Sequence, residues 1–239
     1  MAGRTQALSS RGVFVFIFAL SFVHVNTNST DINPCASQAE DVRNTTLLPH
    51  YLPPAKPTLN QWCESGLVPD VIDAPPPLQM RVRYSDLSVN YGNILTPAQV
   101  RSPPTQLTWP GEQNGLYTLV MIDPDAPSRQ DPTLREFLHW IIGNMPCCSL
   151  GSGEIQAQYF PAGPPKGSGL HRYPLLVFKQ PEYVIFHEPV LTNKSFEGRP
   201  NFSTRKFAHK YELELVAGNF FQAEYDSTVD ELYRMVEQQ

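Results

Sequence analysis

Residues 116–122, LYTLVMI, form an apolar run. A run that short and that apolar reads as a strand buried on both faces. It stops at Asp123-Pro124-Asp125-Ala126-Pro127, where neither proline can donate to a sheet ladder. A second run, 137–142, carries His139 inside it, and a third, 175–178, follows His171-Arg172. A further strand is expected at 183–186, after the turn at Pro181. Leu78, Met80, Val82 and Tyr84 alternate with polar residues, the pattern of a half-buried strand. Helical signals are short. Thr96-Pro97-Ala98-Gln99 has the residues of a helix start, but Pro103-Pro104 soon ends it. Ser203 can cap a segment with Phe207 and Tyr211 four residues apart on one face. Thr228 with Glu231 matches a capping box, and Val229, Leu232, Tyr233 and Val236 form one apolar stripe behind it.

Between these elements the chain is irregular. Prolines break residues 26–77 repeatedly, although 68–72 (VPDVI) has the composition to dock on a core. Residues 143–168 read as one long loop rich in glycine and proline, and loops of that length are usually functional.

Composition narrows the class. The 239 residues suffice for one good core, and 24 prolines with only 17% charged residues disfavour a helical bundle. A net charge of −5 gives no basis for general nucleic-acid binding. Arg4 and Arg11 precede an apolar block, 13–23, too short to span a bilayer and suited to a secretory signal. Cleavage is expected between His24 and Asp31, with an uncleaved signal anchor as the less favoured alternative. A secreted protein is therefore expected. In that compartment Cys35, Cys63, Cys147 and Cys148 suggest disulfides. Three pairings are open; the preferred ones send Cys147 and Cys148 to Cys35 or Cys63, since adjacent cysteines would close a strained ring. No CxxC spacing suggests zinc. Sequons at Asn28, Asn44, Asn193 and Asn201 are glycosylation candidates, with Asn28 close to the cleavage point.

Candidate chemistry gathers around the diacid loop. Two carboxylates at the mouth of a core strand, with a histidine embedded in the next one, make a site element. Glycines at 163, 167 and 169 can expose backbone N–H groups to an anion.

DPDAPSRQDPTLREFLHW, followed by GPPKGSGLHRYPLLVF, resembles the phosphatidylethanolamine-binding protein family, which includes the Raf kinase inhibitor protein. The resemblance runs from about Val68 to the end, including LTPAQV, KYELE and FFQAEYD, and the signal and extension resemble secreted members. It divides the chain into a signal peptide (1–25), a proline-rich extension (26–67) and one family domain (68–239). It implies a mainly β, sandwich-like fold with a large central sheet, a smaller sheet and short peripheral and C-terminal helices. The family pocket accepts small anions such as phosphate, acetate and phosphoryl headgroups. Carried over by position, its residues are Asp123, Pro124, His139, Gly163, Pro165, His171 and Tyr173, with Asp125, Trp109, Ala126 and Tyr233 at or near the wall. Cis peptides are expected at Ala126-Pro127 and Arg135-Glu136. Leu134, Phe137 and Leu138 depart from the family's pattern and should make the rim more apolar.

The function expected is binding without catalysis, of a phospholipid headgroup or another small anion. Asp123 alone would repel such a guest. His139 and His171 compensate if protonated or donating, with Asp123 orienting the ring and raising its basicity and backbone donors near Gly163 completing the cradle. A hydrolase reading would use Ser168 with His171, but no nucleophile elbow or metal-ligand constellation accompanies them. The alternative function is a secreted inhibitor or modulator of serine proteases, signalling kinases or receptors, acting through rim loops with Lys166 and Arg172. A monomer is expected, with no cofactor and with peripheral membrane contact open.

Overall fold

The computed structural model describes residues 57–147 and 150–238. The expected signal peptide, most of the extension, Cys35, Cys148, Asn28 and Asn44 lie outside those residues. The strands are β1 (Leu78–Gln79), β2 (Arg81–Tyr84), β3 (Leu87–Ser88), β4 (Asn93–Ile94), β5 (Gln106–Thr108), β6 (Leu116–Asp123), β7 (Phe137–Pro146), β8 (Glu154–Ala157), β9 (His171–Lys179) and β10 (Glu214–Ala223). The helices are α1 (Pro57–Glu64), α2 (Leu67–Asp70), α3 (Thr204–Lys210) and α4 (Thr228–Glu237).

A seven-stranded sheet runs β1-β10-β9-β6-β7-β8, with β4 also paired to β10. Only β1 and β4 run parallel to β10; the other neighbours are antiparallel. A second sheet has the order β3-β2-β5. The fold is thus mainly β, with a large sheet, a small sheet and short helices, as expected.

The apolar run 116–122 is central because both its faces are covered. Leu119 and Met121 pack with Val82, Tyr84 and Leu107 of the small sheet. Val120 and Ile122 pack on the opposite face with Trp62, Val68 and Phe207. Alternation along β6 therefore supplies two cores at once. VPDVI does dock: Val68, Val71 and Ile72 are all buried.

Several local expectations fail, each for a physical reason. Residues 78–84 are two strands, not one: the chain changes sheets at Met80, whose N–H donates to Gly218 O at 3.0 Å. The Thr96 start yields only a turn, in which Val100 N–H donates to Thr96 O at 3.2 Å, and no helix develops before the prolines. The 143–168 loop is shorter than expected, because β7 continues to Pro146 and β8 adds an edge strand. No strand forms at 183–186, where the Asn144 side chain does a strand neighbour's work. Its Oδ1 accepts from Val184 N–H at 2.9 Å and its Nδ2 donates to Val184 O at 2.8 Å. The segment expected to be irregular contains α1, which buries Trp62 against Phe220 and Tyr91. Strand β10 was not foreseen at all.

Helix ends are mixed. Ser203 Oγ caps α3 by accepting from Lys206 N–H at 3.4 Å. In α4, by contrast, Thr228 is the first helical residue, and the Asp226 carboxylate accepts from its N–H at 2.8 Å. The box residue Glu231 instead pairs with Arg101 at 2.7 Å.

Candidate functional site

Antiparallel pairing gathers the candidate residues at one end of the large sheet. Strand β6 ends at Asp123 where its neighbours begin, β7 at Phe137 and β9 at His171, and Asp123 pairs with Phe137 in register. Residues far apart in sequence thereby share one rim. Helix α4 and the connections at 160–165 and 196–200 close over it. The result is a cavity of ≈ 290 Å³ lined by Asp123, His139, His171, Gly163, Pro165 and Tyr233 among polar or loop positions. Leu134, Phe137, Phe160, Phe196 and Leu232 supply apolar wall. Its volume is at the small end for a ligand pocket.

The polar side chains form a linked set. Asp123 Oδ1 accepts from Asp125 N–H at 2.7 Å, so the carboxylate caps its own loop. Asp123 Oδ2 lies 2.7 Å from His171 Nδ1, and His171 Nε2 lies 2.8 Å from Ser168 Oγ. Ser168 Oγ donates to Pro165 O at 2.7 Å. His139 Nδ1 lies 2.7 Å from Phe160 O. A carbonyl can only accept, so His139 carries its proton on Nδ1. Its Nε2 is then the ring's remaining polar atom on the cavity wall. Burial pushes the His139 pKa down to about 4, against a smaller upward pull from the Asp123 carboxylate. The ring is therefore neutral at physiological pH, and Nε2 is an acceptor. Tyr233 donates its hydroxyl to Gly163 O at 3.0 Å, tying α4 to the loop.

Not every expected residue lines this cavity. Pro124 is buried outside the lining, and its carbonyl accepts from Arg135 Nε. Tyr173 lies under the floor: its ring stacks at 17° on His171 and meets His139 edge-on at 5.3 Å. Its sealed hydroxyl makes no hydrogen bond of good geometry. Burial, then the neighbouring Asp123 carboxylate, holds its pKa well above that of an ordinary tyrosine. Trp109 belongs to the core between the sheets, edge-on to Tyr117 at 5.5 Å, and is not part of this wall.

Asp125 and Arg172 are the clearest corrections. Arg172, expected at the mouth as a partner contact, is fully buried. Its Nε donates to Asp125 Oδ2 at 2.8 Å and one Nη to Asp125 Oδ1 at 2.6 Å. It also reaches Asp70 at 3.0 Å and Ser65 O at 2.8 Å. Although burial opposes it, the Arg172 guanidinium holds the Asp125 carboxyl below its ordinary pKa. This forked pair anchors α1, α2 and the diacid loop, and neither residue lines the cavity.

Phe160, Phe196 and Pro200 are wall residues that sequence reasoning did not assign. No periodic pattern marks them, because they sit on irregular segments. Arg199 explains how those segments are held. Buried, it donates to the carbonyls of Leu138, Gln158 and Thr192 at 2.8, 2.9 and 2.8 Å, and its guanidinium lies 5.0 Å from the Phe160 ring centre. Leu232 was visible in the α4 stripe, but its cavity was not.

The peptides Ala126-Pro127 and Arg135-Glu136 are cis, as is Val68-Pro69. A larger groove of ≈ 820 Å³ lies on another side of α4, lined by Arg101, Ile155, Lys194 and Met235. No expected binding residue lines it apart from the sequon residue Asn193, which is exposed like Asn201. No group of three or more metal-ligating side chains occurs among the described residues.

Comparison with known proteins gives a consistent picture. A family model described as phosphatidylethanolamine-binding protein matches residues 85–222. The putative odorant-binding protein A5 of Drosophila melanogaster is 36% identical over 173 residues, covering 72% of this chain and 82% of that protein. A 26 kDa secreted antigen of Toxocara canis is 36% identical over 167 residues, covering 68% of this chain and 63% of that one. Among solved structures, a carboxypeptidase Y inhibitor crystallised with its cognate proteinase has a TM-score of 0.64 and 31% identity. That likeness covers 72% of this chain and 97% of the inhibitor.

Proposed function

The chain belongs to the phosphatidylethanolamine-binding protein family, and from that premise we propose that it is a secreted binding protein, not an enzyme, whose guest sits in the Asp123–His139–His171 cavity. The ligand is a phosphorylated headgroup or another small oxygen acid. The observation that carries this reading is the cavity itself: ≈ 290 Å³, with a carboxylate and two imidazoles among aromatic and aliphatic walls. A few polar groups in an apolar concavity are what orient a small ligand.

The order Ser168–His171–Asp123 resembles a hydrolase triad, with links of 2.8 and 2.7 Å. Two features favour binding over turnover. The Ser168 hydroxyl is also held by Pro165 O, and Ser168 is not among the residues lining the cavity. A nucleophile must reach the reacting atom. Ester and phosphoester turnover that disappears in Ser168→Ala would overturn the non-enzymatic reading.

Secretion is supported by the basic-then-apolar N-terminus, by the secreted relative from Toxocara canis, and by a disulfide at Cys63. Asn193 and Asn201 are exposed, as glycosylation requires. A second reading, inhibition of a protease, is favoured by the likeness to the carboxypeptidase Y inhibitor. The exposed Lys166 remains a rim contact for it, whereas Arg172 does not.

Calorimetric titration of phosphorylethanolamine into the wild type and His139→Ala tests the main reading. Loss of the binding heat in the variant is expected. Equal affinity in both would remove His139, and with it this cavity, from the site.

A further inference from the structure

The groove of ≈ 820 Å³ beside α4 has an apolar floor and a polar rim. Trp140 and Ile142 of β7, with Tyr159, make the floor and are buried. Ile155 of β8 and Met235 of α4 also line it, and they are 50% and 47% exposed. They are two of the six large apolar side chains that stand exposed among the described residues. Apolar surface gathered in a concavity marks a place that something covers.

Asn193 supplies a candidate cover. It lines the groove and opens the sequon Asn193-Lys194-Ser195. Its backbone N–H donates to Oε1 of Gln158, itself a lining residue, at 3.0 Å. The sequon is held from both sides as well. The buried Arg199 guanidinium donates to Thr192 O at 2.8 Å and to Ser195 O at 3.3 Å. A group attached to Asn193 therefore starts from a fixed point on the groove wall. Asn201, the other exposed sequon residue, lines neither this groove nor the Asp123 cavity.

We propose that Asn193 carries an N-glycan whose first sugars lie in the groove and cover Ile155 and Met235. The inference rests on the protein being secreted and adds what the glycan does. A pyranose ring has an apolar C–H face and a polar edge of hydroxyls. The face packs on Ile155, Met235 and the floor. The edge meets the Gln158 amide and the Lys194 ammonium, which supply an acceptor and donors. A concavity of this size takes a drug-sized group, which the two N-acetylglucosamines of a glycan core are. Because the sugars are tethered at the rim, their effective concentration is high and weak contacts suffice to seat them.

Met235 can report on the cover. Hydrogen peroxide converts an exposed methionine to its sulfoxide, while Met80, Met121 and Met145 are fully buried and serve as internal controls. Protein secreted from cultured eukaryotic cells is mapped for glycopeptides. Its initial rate of Met235 oxidation is then measured before and after enzymatic removal of the glycans from the folded chain. Asn193 should be occupied, and Met235 should oxidise severalfold faster after removal. Asn193→Gln should reproduce that gain and Asn201→Gln should not, with the three buried methionines unchanged throughout. Enzymatic removal acts on folded protein, so it carries the test if Asn193→Gln fails to fold. An occupied Asn193 with no change at Met235 would mean that the sugars stand off in solvent. That result, or an empty Asn193 on a secreted chain, would overturn the inference and leave secretion intact. A chain kept inside the cell without any glycan would overturn the secreted reading beneath it.

Discussion

Asp123 and Asp125 stand two residues apart in one rigid loop, and His171 and Arg172 are adjacent at the start of one strand. The fold sends each pair in an opposite direction. Asp125 and Arg172 meet in a forked, fully buried pair that ties the N-terminal helices to the large sheet. Asp123 and His171 meet at the edge of a cavity, where the carboxylate keeps unused acceptor capacity. The same chemistry is saturated and sealed in one place, and left with acceptors to spare beside a cavity in the other. A charged pair read from sequence says nothing about which case applies.

That contrast can be broken by mutation. The largest effect should come from Arg172→Ala, which strands Asp125 in the interior and should cost about 3–5 kcal/mol of stability by urea denaturation. A loss near zero would mean that the buried pair does not anchor the N-terminal helices. Acid is next. His139 has a folded pKa of about 4 against 6.5 when unfolded, so below pH 6.5 the unfolded chain binds the extra proton. Stability should therefore fall as pH drops from 6.5 to 4, by an amount on the order of 3 kcal/mol. The slope should flatten in His139→Gln; an unchanged slope would place the titration elsewhere. A smaller stability effect is expected for Asp123→Asn, about 1–2 kcal/mol for weakened bonds to His171 and its own loop. Phosphorylethanolamine affinity should change more in this variant than in any variant of the Asp125 pair that still folds. Equal changes in binding would erase the distinction between the two carboxylates. Least of all should change on Glu231→Gln, whose pair with Arg101 is half exposed on both sides; the stability shift should stay under about 1 kcal/mol.

Much of the central architecture was legible in the chain. An apolar run closed by a proline-locked diacid can only be a strand that ends at a loop, and β6 is that strand. His139 inside an apolar run is a strand histidine, and it lies in β7. The motifs around both marked the family and the rim. What misled was local pattern without a local cause. Strand β10 was hidden because its interior holds Gly218 and Asn219, which weaken a strand signal. In the fold Asn219 earns its place by bonding Tyr91 N–H, Met80 O and Val89 O, three groups more than 120 residues away. Residues 183–186 had strand composition, but Asn144 took the backbone bonds that a neighbouring strand would have supplied.

The sequence by itself determined which residues must be buried and where strands must stop, while the meeting of carboxylates and imidazoles in one pocket was implied by the family resemblance. Burial and strand ends follow from side-chain polarity and proline geometry, which are properties of the residues alone. Only the tertiary structure decided which of those charges are sealed and which face a cavity. It also decided that the His139 proton points away from that cavity, toward Phe160 O. Such outcomes depend on hydrogen-bond partners supplied by distant segments, and a single titratable residue carries no record of its partner.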